Sequence, residues 1–331
     1  MIDGAKINGL IKICLTSLSD RQKEILEGRY GISGLPMLTL AELGHKYGLT
    51  RERIRQIEAL GIKGAKDSAS GNGFGDFIKT VSLQLKNSGG IKREDLLVEN
   101  LGGAARSNQV KFLLEMSKRF HYSKDSANFY PYWYLSEANQ KNAMSFVSYV
   151  LKNSEQGNFA AVFDTAAKKF GLADTVASNY ASVSKRIAQN VFGEFGLSSR
   201  PEINPKTARD WAYLVLKKEK RPLHFNEIAS LVSNLRQKEA HAPTIHNELI
   251  KDERFVLVGK GTYTLGEFGV VPGTAKEIIG HFLKKHGPMK SNDIVKTVLK
   301  QRLFKENTIL INLQNRKNFK RLGDGRYTTL V

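Results

Sequence analysis

Apolar residues recur at helical spacing along most of the chain, and short β-prone runs interrupted by Gly-X-Gly appear toward its end. The clearest local pattern is residues 38–59, LTLAELGHKYGLTRERIRQIEA. It predicts a short helix over 39–47, a tight turn at Gly48-Leu49 and a second helix opened by Thr50. Thr39 and Thr50 are good N-caps, because their hydroxyls can accept an orphan N–H of the first turn. Gly48 suits the turn, since it tolerates the positive φ that strains other residues. Ile54 and Ile57 lie three apart and can face the first helix, which leaves Arg51, Glu52, Arg53, Arg55 and Gln56 pointing elsewhere. Guanidinium groups read guanine, carboxylates accept from cytosine N4 and Gln pairs with adenine, so Arg51, Glu52 and Gln56 form a candidate base-reading set. Downstream, Gly61 and Gly64 each cost about 1 kcal/mol in a helix interior, and the second helix is predicted to end near Gly61.

The C-terminal third repeats itself. PLHFNEIASLV (222–232) matches PMKSNDIVKTV (288–298) at an offset of 66, and from Thr244 with Thr308 to Tyr263 with Tyr327 the offset is 64. Such periodicity means two copies of one supersecondary unit. Each copy parses as a helix (204–218, 274–285), a second (225–234, 291–301), a third (243–252, 307–316) and a two-stranded ribbon about Gly259-Lys260-Gly261 or Gly323-Asp324-Gly325. Asn204-Pro205 reads as a helix start, an N-cap followed by Pro at the first helical position. Three helices and a hairpin make a winged helix. The middle is more degenerate. Residues 74–137 give helices at 77–86, 93–101 and 108–120 and the run FYPYWYL, a winged-helix-like order; residues 138–203 give helices at 138–152, 159–170 and 176–189 followed by VFGEFGL. The expected fold class is mainly α, with tandem helix-turn-helix and winged-helix modules and small β-hairpin wings. The expected modules are 1–70, 74–137, 138–203, 204–269 and 272–331.

Charge narrows the choice of partner. The net charge is +19 over 331 residues, with +12 carried by residues 200–331. Such a basic portion implies a polyanion. Nucleic acid is favoured over an anionic membrane, because the charges are spread over folded-looking segments and not along one amphipathic helix. Residues 276–331 alone hold 13 basic against 4 acidic groups. Lys305, Arg316, Lys317, Lys320, Arg321 and Arg326 surround the predicted last helix and wing, where phosphate contact would position the protein without specifying sequence. Ordinary solvated charge or a site for an acidic protein surface are the alternatives.

Catalytic chemistry finds little support. Cys14 is the only cysteine, which excludes intrachain disulfides and thiolate zinc clusters and makes a reducing cytoplasm the natural home. No run of 18 apolar residues occurs. His241 and His246 are five apart, unlike the pair of a zinc helix, and VGKGT at 258–262 lacks phosphate-loop spacing and reads as a wing. The aromatics Phe129, Tyr130, Tyr132, Trp133 and Tyr134 fit strand residues alternating toward a core better than a stacking platform for bases. No enzyme activity, metal, cofactor or small-molecule substrate is expected.

TLAELGHKYGLTRERIRQIEA, with LSDRQKEILEGRYGI (18–32) upstream, closely resembles region 4 of the sigma-70 family of bacterial RNA polymerase initiation factors. The resemblance implies that the second helix enters the major groove of a -35 promoter element, with Arg51, Glu52 and Gln56 at base-contacting positions. Arg21, Thr39, Thr50, Arg53 and Arg55 match positions of DNA backbone or polymerase contact, and core RNA polymerase is an implied partner beside promoter-like double-stranded DNA. The family's basic continuation is replaced by ALGIKGAKDSASGNG, and only 17 residues precede the resemblance, so the promoter-melting and core-clamping regions are not expected. PLHFNEIASLV followed by APTIHNELIKDERFVLVGKGTYTL resembles the HARE-type winged helix and is similar to the amino-terminal domain of the polymerase delta subunit. The implied function is a sigma-like, non-enzymatic transcription protein; the alternative is an accessory polymerase subunit that does not read DNA sequence.

Overall fold

A computed structural model describes residues 1–34, 36–70, 73–155 and 157–330. The chain is mainly helical with small antiparallel strand pairs. It divides into two units, residues 1–188 with 195–198, and residues 189–194 with 199–331. No helix among the described residues is long and apolar enough to cross a membrane.

The first unit begins with α1 (Gly4–Leu15), α2 (Asp20–Tyr30), α3 (Leu40–Tyr47), α4 (Arg51–Ala69) and α5 (Gly75–Asn87). Next come β1 (Ile91–Arg93), α6 (Glu94–Gly102), α7 (Ser107–Met116), β2 (His121–Ser123) and β3 (Tyr132–Tyr134). Last are α8 (Glu137–Ser154), α9 (Phe159–Lys169), α10 (Asp174–Val183) and the paired strands β4 (Ile187–Gln189) and β5 (Phe195–Leu197). One hydrophobic core runs from Ile7 and Cys14 of α1 through Leu26, Ala65, Phe77, Leu97 and Phe112 to Trp133. The segments 1–70 and 74–137 therefore share their buried apolar surface. A second core gathers Tyr132, Phe146, Val150, Ala166, Tyr180 and Val183.

Two expectations fail here for identifiable reasons. Aromatics alternating toward one core would leave every second residue of β3 outward, yet Tyr132 and Trp133 are both buried. β3 is the central strand of the order β1-β3-β2, and its two faces serve the two cores. The helix expected over 176–189 stops at Val183, because that backbone is claimed by strand-like bonds: Tyr130 N–H donates to the Val183 carbonyl at 3.0 Å and Lys185 N–H to the Asn128 carbonyl at 2.8 Å.

The second unit contains α11 (Ala208–Glu219), β6 (Leu223–His224), α12 (Phe225–Arg236), α13 (Ala242–Lys251), β7 (Phe255–Gly259) and β8 (Thr262–Leu265). The order then recurs as α14 (Ala275–His286), α15 (Ser291–Leu299), α16 (Glu306–Leu313), β9 (Phe319–Arg321) and β10 (Tyr327–Thr329). Strand order is β6-β8-β7 in the first copy; in the second, β9 pairs with β10 and an isolated Met289–Tyr327 bridge stands at the place of β6. Each copy has its own core, around Leu216, Ile228, Ile245 and Tyr263 in one and Phe282, Ile294, Ile309 and Phe319 in the other. The helix start expected at Asn204-Pro205 is displaced to Ala208. Thr207 and Asp210 form a capping box there, satisfying two orphan donors that the earlier pair would leave open.

Candidate nucleic-acid interface

The helix-turn-helix is built from local chemistry. Thr39 caps α3 by accepting from Glu42 N–H at 3.2 Å, and the Glu42 carboxylate accepts from Thr39 N–H at 2.7 Å. These bonds hold Glu42 below the usual carboxylate range. Gly48 ends α3 at φ 64°, and Thr50 caps α4 by accepting from Arg53 N–H at 3.2 Å. Gly44 has a stricter role: a Cβ there would lie 2.7 Å from the Leu49 carbonyl oxygen, while Leu49 N–H donates to the Gly44 carbonyl at 2.9 Å. The turn folds back onto a backbone that has room only for hydrogen.

Ile25, Leu43 and Ile54 are fully buried between α2, α3 and α4, with Leu38, Leu40, Tyr47, Leu49 and Ile57 around them. Arg29 joins the same elements, since its Nε meets Glu58 Oε1 at 3.0 Å and its Nη1 donates to the Leu38 carbonyl at 3.1 Å. Sequence pattern gives no sign of this clasp, because no helical period pairs residues 29 apart.

The expected stop near Gly61 does not occur, and α4 continues to Ala69. The two glycines allow close packing. A Cβ on Gly61 would meet Leu26 at 3.3 Å and one on Gly64 would meet Leu18 at 2.6 Å. Burial of Leu18, Leu26 and Ala65 in the shared core offsets the roughly 1 kcal/mol propensity penalty of each glycine.

On the opposite face Arg51, Glu52, Arg53, Arg55 and Gln56 are all exposed. Four of them are already linked. The Glu52 carboxylate accepts from Arg55 Nε at 2.9 Å and Nη2 at 2.6 Å, and Gln56 Oε1 accepts from Arg53 Nη1 at 3.1 Å. Hydrogen bonding from Arg55 holds Glu52 ionised, below its ordinary range. Arg51 makes no side-chain hydrogen bond or ion pair among the described residues. Among the described residues the face thus offers one guanidinium without a hydrogen bond, attracted to Glu52 through space, beside two prepaired acceptors. Arg21 stands apart from this set, with its guanidinium 4.3 Å from the Tyr47 ring centroid and 3.5 Å from Glu24. Thr39 and Thr50 use their oxygens as caps but remain exposed.

Residues 14–63 match the family model described as Sigma-70, region 4. That span covers the end of α1, all of α2 and α3 and most of α4. Among curated proteins, RNA polymerase sigma factor SigA of Nostoc sp. is 49% identical over 49 residues, 15% of this chain and 13% of that protein. SigA1 of Synechococcus elongatus is 47% identical over 49 residues, covering 15% and 12%, and SigA of Listeria monocytogenes is 37% identical over 65 residues, covering 20% and 17%. The chain spans less than a fifth of the length of these relatives.

The region-4-like segment and the C-terminal basic set differ in construction. Lys305 stands at the N-cap of α16, Arg316 and Lys317 lie between α16 and β9, and Lys320 and Arg321 occupy β9. All are exposed, as is Arg326, whose guanidinium is bound to Asp324 at 2.6 Å. Lys320 and Arg321 are consecutive in a strand and project to opposite sides of the ribbon. Lys320 and Arg321 therefore do not share a face, and the Asp324 carboxylate partly offsets the Arg326 charge.

Proposed function

We propose that the chain is a non-enzymatic, DNA-binding transcription protein. In this reading α4 of the region-4-like segment docks in the major groove of a -35-like promoter element, with Arg51, Glu52 and Gln56 on base edges. Arg21, Thr39, Thr50, Arg53 and Arg55 lie where DNA backbone or core RNA polymerase would be met. The observation that carries the reading is the match of residues 14–63 to sigma-70 region 4, shared with RNA polymerase sigma factors, together with the exposure of these side chains on α4. Residues 204–269 and 272–331 are read as HARE-type winged helices that add electrostatic affinity through Lys305, Arg316, Lys317, Lys320, Arg321 and Arg326. A cytoplasmic location fits this role.

A second reading has one observation in its favour. Glu52 and Gln56 already spend acceptor capacity on Arg55 and Arg53, which suits an accessory polymerase subunit that uses the same helix as a protein-binding surface. Titrating the full chain separately against a duplex library and against core polymerase tests both. Salt-sensitive duplex binding with sequence preference is the expected result. Polymerase binding with no sequence preference on DNA would establish the second reading instead.

A further inference from the structure

Arg302 lies between α15 and α16, in the most basic portion of the chain, yet it is only 2% exposed. Its Nη1 donates to the Leu257 carbonyl of β7 and its Nη2 to the Val271 carbonyl, in the segment joining the two C-terminal cores. Neighbours extend the contact. Leu303 N–H donates to the Val258 carbonyl at 2.8 Å, and Gln301 Oε1 accepts from Val271 N–H at 3.4 Å. Leu303 Cβ lies 2.9 Å from where a Cβ on Gly259 would stand. Two consecutive residues of the second repeat, Arg302 and Leu303, thus bind carbonyls of β7, the strand that the order β6-β8-β7 leaves at the sheet edge, while Gln301 binds the Val271 segment.

The composition of this contact points away from simple stabilisation. Among the described residues no carboxylate pairs with Arg302, and its Nε has no hydrogen-bond partner. A buried charge held only by carbonyl dipoles is expensive, and a well-packed apolar residue would often serve stability as well. What the planar guanidinium adds is direction, because its fork addresses two carbonyls at fixed angles, one on each side of the junction. At the repeat offset of 66 its counterpart is Arg236, which ends α12 half-buried with its guanidinium 5.9 Å from the Trp211 ring. The junction is therefore a feature of the second copy and not of the repeat itself.

We infer that Arg302 is a positioning residue that locks the two C-terminal repeats into one rigid body, so that α13 and α16 with their ribbons meet any partner in a single relative orientation. Adjacent modules joined by a short segment ordinarily move against each other. Here the β7 edge, the Val271 linker and the α15–α16 turn are fastened by one side chain. The inference holds whatever the surface binds.

Spin labels on Ile250→Cys and Ile311→Cys, on exposed positions of α13 and α16 (63% and 66% exposed), report the distance between the repeats in the full chain. Cys14, the one native cysteine, is buried. Pulsed electron resonance should give a narrow single distance for the otherwise unaltered chain. That narrow peak should disappear in Arg302→Lys, which keeps the charge without the fork, and in Gly259→Ala, which pushes Leu303 from the other side. Circular dichroism should show both variants folded. A broad distribution before either substitution, or a narrow one retained in Arg302→Lys, overturns the inference; if Arg302→Lys does not fold, a narrow distribution in Gly259→Ala does so.

Discussion

Gly44→Ala separates steric necessity from helix propensity within the candidate site. Alanine is favoured over glycine in a helix interior by about 1 kcal/mol. At position 44, however, the new Cβ meets the Leu49 carbonyl oxygen at 2.7 Å, and that oxygen belongs to the backbone of the turn. Relieving the clash means moving the turn, at an overpacking cost of about 1–3 kcal/mol. The Leu49 N–H to Gly44 carbonyl bond is strained with it, for about 1 kcal/mol more. The sum is a net destabilisation of about 1–3 kcal/mol. Gly9→Ala is the matched control: Gly9 lies in α1, is exposed and has nothing within 4 Å of the added Cβ, so the same substitution should stabilise by roughly 0.5–1 kcal/mol. Native-state amide exchange on the full chain reads both. Protection of the most protected α3 and α4 amides should fall roughly 5- to 150-fold in Gly44→Ala, while α1 protection rises in Gly9→Ala. Equal gains at both positions would show that the turn has slack, and the account of how α4 is aimed would fail.

Other perturbations test charge. Glu52→Ala releases Arg55 from its two hydrogen bonds; one added phosphate contact would steepen the slope of log K against log salt by about 0.9, while preference at one base pair weakens. A slope and preference both unchanged would exclude Glu52 from the interface. Replacing Lys317, Lys320 and Arg321 together by Gln should make that slope shallower by up to about 0.9 for each phosphate that is no longer neutralised; an unaltered slope would assign the patch to an acidic protein partner. Hydrogen bonds from Arg254 hold Asp252 below its ordinary range. Its contribution is therefore present above the unfolded carboxylate pKa and disappears as pH falls through the depressed folded value, so Asp252→Asn should flatten the acid limb of the stability profile. An unchanged acid limb would remove that pair from the account.

The helix-turn-helix is legible in the sequence because its determinants sit within a few residues of one another: Thr39 with Glu42, Gly48 at a positive φ, Thr50 with Arg53. The outward placement of Arg51, Glu52 and Gln56 follows from the same helical period that buries Ile54. Their prepairing is equally local, since residues three apart on a helix are neighbours, but the rotamers that realise it are not written in the spacing. Other features are decided at long range. The passage of α4 through Gly61 and Gly64 depends on Leu18 and Leu26, the double burial of β3 on the placement of β1 and β2, and the short α10 on backbone bonds to residues 128–130. Arg302 shows the limit of charge counting, for one of the 13 basic groups in residues 276–331 lies inside the fold.

The central claim is that α4 reads base edges, and Arg51 tests it most directly because its side chain has no hydrogen bond to exchange among the described residues. Selection from a randomised duplex library with the full chain and with Arg51→Ala compares their sequence preferences. The account predicts that the substitution relaxes preference at one or two adjacent base pairs, a decrease of about 1–3 kcal/mol in discrimination, with the other positions retained. Identical preferences, or no preference in the unaltered chain, would contradict it.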